Sequence, residues 1–228
     1  MRSINKSVTF SFDDGVTQDI RLVEIMNRYG MKCTFNINSG IMNDSGSFTI
    51  NGMKIERMKP DLLPQLYNGH EIAVHTLTHA NLTELDDSSV KKEILTDKKN
   101  LEHFFNCEII GMAYPYGSFS DKVIEIAKDC GIKYSRTVCD RLNFTMPENL
   151  MKLGASCHQG YDGIFDLIDD FIAYSGNEPA VLCIWGHSYE FDLDCSWDRF
   201  ETICRKLSNR DDIFYGTNCE VYLQLGTE

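Results

Sequence analysis

The chain has 228 residues, 43% of them hydrophobic and 25% charged, ordinary proportions for a globular protein. At this length one domain buries roughly 70% of the surface its unfolded chain exposes, and no linker, repeat or low-complexity stretch divides residues 1–228, so a single domain is expected. The net charge of −12 argues against nucleic acid and against polyanionic polymers, leaving neutral or cationic partners.

Val8 to Phe12 alternate and are β-rich, so they read as a short buried strand. Asp13, Asp14 and Gly15 follow: two adjacent carboxylates, then a residue that permits a sharp turn. Alternation sends neighbouring side chains different ways, so one carboxylate can bind a metal ion while the other acts as a general base. Asp-Asp-Gly by itself also spells an ordinary turn. Gln18 to Tyr29 places apolar residues at Ile20, Val23, Ile25 and Met26 and ends at Gly30, which predicts a helix. Cys33 to Asn38 is a strand. Ser39 to Glu56 is rich in Gly, Asn and Ser, with a hairpin signal at Asn51-Gly52. It reads as a surface insertion near the mouth of the site, with or without contact to substrate.

Pro60 to Asn68 predicts a short helix and His70 to His75 the next strand, which runs into His75-Thr76-Leu77-Thr78-His79. Two imidazoles four apart meet on one face where a strand passes into a helical turn. With one carboxylate they make an open three-ligand site with room for water. Thr76 stands where a zincin protease needs glutamate, which sets that reading aside. Zinc suits two imidazoles and a carboxylate, and cobalt or nickel would too.

A long helix should run from Leu85–Ser89 to about Phe105, capped by aspartate or serine. Ile109 to Ala113 is a strand, Asp121 to Cys130 a helix stopped by Gly131, and Lys133 to Val138 a strand. Leu150 to Ser156 reads as another strand, about Gly163 to Tyr174 as a helix, and Ala180 to Trp185 as the last clear strand. Trp197 to Leu207 is its helix, and Asp212 to Leu225 adds a strand-like piece and a terminal helix. This alternation points to a parallel sheet with helical crossovers. Seven or eight such units suggest a barrel, whose active site lies at the carboxyl ends of its strands.

The nine cysteines are an odd count without a Cys-x-x-Cys pair, and Cys33, Cys130 and Cys183 sit in apolar segments as small core residues. That usage suits a reducing compartment better than a disulfide framework. Met1 to Lys6 has no apolar signal core, and no apolar run approaches the ~18 residues of a spanning helix. A cytoplasmic chain with no membrane partner is the expectation.

Ser11-Phe12-Asp13-Asp14-Gly15, taken with Gly69-His70-Glu71-Ile72-Ala73-Val74-His75-Thr76-Leu77-Thr78-His79, resembles the polysaccharide deacetylase family, the NodB-homology domain of carbohydrate esterase family four. The likeness runs to about Gly186-His187. It implies an α/β fold, a distorted (β/α) barrel of about seven strands. It also implies a divalent metal held by Asp14, His75 and His79, with Asp13 as general base. His187, at the end of an apolar strand, matches the family's final histidine motif and would protonate the departing amine. Tyr114-Pro115-Tyr116-Gly117 resembles the proline–aromatic–glycine loop, and the match makes the Tyr116 N–H the donor to the oxyanion.

The implied activity is hydrolysis of the N-acetyl group of an amino sugar or short glycan, releasing acetate. The alternatives are a metal-dependent hydrolase of another small amide and a non-catalytic carbohydrate-binding relic, which the retention of Asp13 and His187 disfavours. Two departures stand out. Ala113 replaces an arginine usual two residues before the loop proline, and Tyr134-Ser135-Arg136-Thr137-Val138 occupies the place of an aspartate–tryptophan motif. Arg136, expected near the carboxyl end of its strand at the rim, can take over the missing arginine's paired contact with Asp13. Trp185, Tyr189 and Trp197 either wall a sugar or belong to the core. His70 reads as structural and His103 as a surface residue, while His158 has no assigned role.

Overall fold

The first strand, β1 (Lys6–Asp13), is buried along its whole length, and its period of two sorts its side chains. Val8, Phe10 and Phe12 join the large apolar cluster shared with the helices. Each phenylalanine buried there contributes roughly 1.5–3 kcal/mol of transfer free energy. Thr9 and Ser11 face the other way: Thr9 donates to Asn218, beyond the last strand, and Ser11 accepts from Asn36 on the neighbouring strand. Apolar outside and polar inside is thus written into one strand.

The computed structural model describes residues 5–224; Met1 to Ile4 and the expected end of the tail at Leu225 lie outside them. After β1 come α1 (Asp19–Arg28), β2 (Cys33–Ile37), the hairpin β3 (Phe48–Ile50) and β4 (Met53–Ile55), α2 (Leu63–Leu66) and β5 (Glu71–Val74). Then follow α3 (Asp87–Phe105), β6 (Gly111–Ala113), α4 (Asp121–Asp129), β7 (Tyr134–Asp140), β8 (Leu153–Ala155) and β9 (Cys157–His158). The remainder is α5 (Ile164–Ala173), β10 (Ala180–Gly186), α6 (Glu190–Leu193), α7 (Trp197–Leu207), β11 (Ile213–Tyr215) and a π-helical turn, Glu220–Gln224.

The strand expected over Leu150–Ser156 is shorter. Asn149 accepts a hydrogen bond from the Met151 N–H at 2.9 Å and starts a 3-10 turn over Leu150–Lys152, so only Leu153–Ala155 pair. The hairpin turn matches its signal, since Asn51 (φ 50°) and Gly52 (φ 82°) are both left-handed. Asp86 caps α3 by accepting from Ser89 N at 2.8 Å.

The main sheet has the order β8-β7-β6-β5-β2-β1-β10-β9, all parallel, with β11 also beside β1. β11 pairs with Lys6–Val8, below the point where β2 begins its pairing at Phe10. β8 and β9 end the order on opposite sides yet are nearly continuous in the chain. Ser156 between them donates its N–H to the Cys183 carbonyl (2.8 Å), and its hydroxyl accepts from Cys183 N (3.1 Å). The sheet therefore curls round and closes at Ser156, which makes it a distorted barrel. No helix among the described residues is long and apolar enough to cross a membrane.

Candidate active site

At the carboxyl ends of the strands the backbone leaves its ordinary regions repeatedly. Asp14 (φ 83°), Thr76 (63°), His79 (58°) and Tyr116 (59°) are all left-handed without being glycine. Each such residue costs on the order of 1–3 kcal/mol, and such strain gathers at functional sites. It has direct consequences for direction. Asp14 turns back at the end of β1, so both carboxylates face one cleft, where strand alternation had them diverging. His75 and His79 are joined by an irregular turn, not the expected helical one. Asn38 holds that turn by donating to the carbonyls of His75 and Thr76 (2.9 Å to the latter). Asp97 accepts from the backbone N–H groups of His75 (3.1 Å) and Ser39 (2.7 Å).

The ligand atoms of Asp14, His75 and His79 all lie within 4.8 Å of one another. His75 Nδ1 sits 2.8 Å from the Ala113 carbonyl, so Nδ1 carries the hydrogen and Nε2 presents its lone pair to the cleft. Burial pushes His75 down to about 4 and holds His79 below the usual imidazole range. Burial, the largest single influence, works against the Asp14 charge, but Arg57 together with His187, His75 and His79 keeps that carboxyl below its ordinary value. Two neutral imidazoles and an ionised carboxylate stand ready at neutral pH, the protonation state a metal requires. The donor set fits a divalent ion with a position left open.

Asp13 lies beside this set, its Oδ2 4.0 Å from His75 Nε2. Arg136 Nη2 straddles its carboxylate, touching both oxygens (2.5 Å to Oδ1), and Asn36 adds a bond to Oδ1 at 2.8 Å. Burial raises the Asp13 pKa most strongly, but the charge and hydrogen bond of Arg136, with His75 and His187, together bring it down to about 2. Two details differ from expectation. Arg136 is third in a seven-residue strand and only 2% exposed, so it lies inside the barrel beneath Asp13, not at the rim. Its fork is also divided: Nε donates to Ser11 Oγ (3.0 Å) and Nη1 to the Thr137 carbonyl (3.0 Å). The guanidinium stacks 4.7 Å from the centre of the Trp185 ring.

Across the cleft, His187 Nε2 stands 3.9 Å from Asp13 Oδ2 and 4.0 Å from Asp14 Oδ2. Burial disfavours its charge, yet the hydrogen bond to Glu190 and the two aspartates raise its pKa above the usual value. Phe48, Tyr116, Val138, Trp185 and Tyr189 complete the walls of a cleft of about 440 Å³. Tyr116 is 64% exposed, with its ring 4.7 Å from that of His79. Trp197 is elsewhere, packed on Phe191 at 4.8 Å, and belongs to the core. His70 accepts from Cys33 N at 3.2 Å, a structural tie, and His103 is exposed.

Sequence reasoning missed Arg57, which donates to the Asp14 carbonyl, to Asp14 Oδ1 (3.0 Å) and to Asn38 Oδ1 (2.8 Å). No spacing rule marks it, because it enters from the insertion. Glu190 was missed as well, although its place three residues after His187 is helical-neighbour spacing and was there to be read.

With this geometry in view, comparison with known proteins gives a consistent answer. A family model described as polysaccharide deacetylase matches residues 2–135, more than half of the chain, and stops one residue short of Arg136. A peptidoglycan-N-acetylglucosamine deacetylase of Bacillus cereus is 30% identical over 129 residues, 55% of this chain and 54% of that protein. A chitooligosaccharide deacetylase of Bradyrhizobium is 25% identical over 133 residues, 56% of this chain and 53% of that one. The chain thus spans about half the length of these curated relatives. Among solved structures, the Xyl-CE4 domain of a multidomain xylanase from the hindgut metagenome of Trinervitermes trinervoides superposes with a TM-score of 0.64 at 15% identity, covering 98% of this chain and 93% of that one. A family 4 carbohydrate esterase from Streptomyces lividans, in complex with acetate, gives 0.59 at 13% identity, covering 94% and 93%. A family pseudoenzyme from Bacillus anthracis gives 0.57 at 15% identity, covering 96% and 66%. The motifs at Asp13-Asp14 and His75–His79 lie within the matched segment, and the chain belongs to the polysaccharide deacetylase family, carbohydrate esterase family 4.

Proposed function

We propose that the chain, acting as one catalytic unit, removes the N-acetyl group from an amino sugar of a short glycan and releases acetate. The reading rests on one observation: Asp13 and His187 face each other 3.9 Å apart beside a deprotonated Asp14–His75–His79 donor set. Those three residues would hold a divalent ion, zinc first and cobalt or nickel next. When bound, such an ion supplies Lewis-acid polarisation of the acetyl carbonyl and lowers the pKa of water towards ~7. Asp13, aimed by Arg136 and Asn36, accepts a proton from the attacking water. The Tyr116 backbone N–H would donate to the oxyanion, and one such donor is worth roughly 3 kcal/mol of barrier. His187 gives a proton from Nε2 to the departing amine, so the C–N bond breaks to free acetate and an amino sugar.

The apolar rings lining the cleft suit the faces of a pyranose, and the chain's negative charge suits a neutral glycan. The curated relatives are named for N-acetylated substrates, peptidoglycan and chitooligosaccharide. The acetate in the Streptomyces complex is the product expected of this chemistry. The test is acetate release from a panel of N-acetylated sugars and polymers by metal-stripped protein given back zinc, cobalt or nickel. Metal-dependent acetate release is the expected result. Binding of chitooligosaccharide with no acetate from any member of the panel, whatever the metal, would instead identify a relic binding site.

A further inference from the structure

Behind His187, on the side away from Asp13, lies a closed group of polar side chains from three elements. His187 Nδ1 is 3.1 Å from Glu190 Oε1, at the start of α6. The other carboxylate oxygen, Oε2, is 3.0 Å from His158 Nε2, at the end of β9, and accepts from Gln159 Nε2 at 2.7 Å. Gln159 Nε2 also donates to the His187 carbonyl at 2.8 Å, so one amide holds both the backbone of the histidine and its partner. Gly186 is needed for this: a Cβ there would stand 2.5 Å from Gln159 Cδ.

The hydrogens are assigned by the partners. The Gly160 N–H donates to His158 Nδ1 at 3.1 Å, so that nitrogen is bare and the hydrogen sits on Nε2, pointing at Glu190. A carboxylate only accepts, so His187 must carry its hydrogen on Nδ1. Nε2 of His187 is left as the atom that faces the cleft. Burial works against the Glu190 charge, but the hydrogen bonds from His158 and His187 more than offset it. The contacts of 3.0 and 3.1 Å are filled by N–H groups, so both oxygens of Glu190 are satisfied by hydrogen bonds, although three atoms of the group lie close enough to suggest an ion.

We infer that Glu190, anchored by His158 and Gln159, is the positioning residue for His187. It accepts from Nδ1–H in both the neutral and the charged ring, so that the proton His187 takes up and gives away is the one on Nε2, aimed at the leaving amine. It takes over the work of the aspartate absent from Tyr134–Val138. The reading of His187 as a proton donor belongs to the proposed function; the tautomer and its cause do not depend on it. Asp140, at the end of β7, is engaged with Trp185 Nε1 at 2.7 Å.

Leaving-group chemistry separates positioning from mere support. An amine leaves only when protonated, whereas 4-nitrophenolate leaves without help. Glu190→Gln should therefore lower kcat for an N-acetyl sugar by about 10–100-fold, the usual effect of losing such a partner, with KM changed less than about threefold. Hydrolysis of 4-nitrophenyl acetate should stay within about threefold of the parent. His158→Gln, which keeps Glu190, should move both substrates in the same sense but by less. Independently, 15N-edited imidazole NMR of the metal-free protein, at a pH where His187 is neutral, should show it as Nδ1–H in the parent and as a tautomer mixture in Glu190→Gln. Equal loss on amide and ester, or an unchanged His187 tautomer in Glu190→Gln, overturns the inference. So does calorimetry showing a second zinc equivalent that Glu190→Gln abolishes. A parent protein that releases no acetate from any sugar defeats the proposed function alone, because the tautomer measurement still decides the role of Glu190.

Discussion

Neighbouring carboxylates acquire different partners from their surroundings. Asp13 is tied to Arg136 and Asn36 inside the barrel, while Asp14 is turned outward by its left-handed backbone toward His79, 3.7 Å away. Asp13→Asn should keep about one metal ion per chain and lose most turnover, whereas Asp14→Ala should lose the ion. Elemental analysis beside kcat checks this, and equal metal loss in both would make Asp13 a ligand. Arg136 joins Asp13, Ser11 and Thr137 at once, which a single ammonium cannot do. Arg136→Lys should cut kcat at least tenfold with metal retained, and normal kinetics would refute the role. Arg136→Ala leaves a buried carboxylate unpaired and should destabilise by about 3–5 kcal/mol in urea unfolding.

The insertion between β2 and α2 is an element with its own anchor. The hairpin β3–β4 brings Phe48 into the cleft wall, where it meets Tyr189 edge-on at 5.5 Å. Arg57, just after it, bonds to Asp14, to Asn38 and to the Gly46 carbonyl (3.3 Å), so a single side chain ties the insertion to the candidate metal site. Arg57→Ala should therefore speed amide hydrogen exchange over Phe48–Ile55 by about tenfold or more, with β1 and β10 unchanged. Unaltered exchange in the hairpin would show that its other contacts hold it. The hairpin turn itself was legible at Asn51-Gly52. Its anchor was not, because Arg57 and Asp14 are 43 residues apart and no local rule links them.

At the scale of the molecule, one buried acid joins three parts of the barrel. Asp19, first in α1, accepts from Ser188 Oγ at 2.5 Å and from Tyr67 OH at 2.6 Å, linking β1–α1 to α2 and to the loop after β10. Burial pushes its carboxyl up to about 7 despite those bonds. The folded-state value lies above the unfolded one near 3.9. Its stabilising effect is therefore full below about 4 and is lost as pH rises through about 7. Metal-free parent protein should lose more melting temperature between pH 5.5 and 8.5 than Asp19→Asn does. Parallel curves for the two would remove Asp19 as the cause.

What the sequence determined on its own was whatever depends on neighbours along the chain. The alternation of β1, the helical period of α1 and α7, the hairpin turn, and the spacing of Asp13-Asp14 and His75–His79 are local patterns, and local sterics and burial turn them directly into structure. Tertiary structure decided the rest. Arg136 meets Asp13 across 123 positions, and Glu190 and His158 meet because β9 and β10 lie side by side. Closure of the barrel at Ser156 depends on β8 and β9 reaching opposite ends of one sheet. Such contacts depend on register and closure of the whole sheet, which no window of neighbouring residues contains. The strained turns at Asp14, Thr76 and His79 belong to the same class, since only surrounding contacts such as those of Asn38 and Arg57 can hold them.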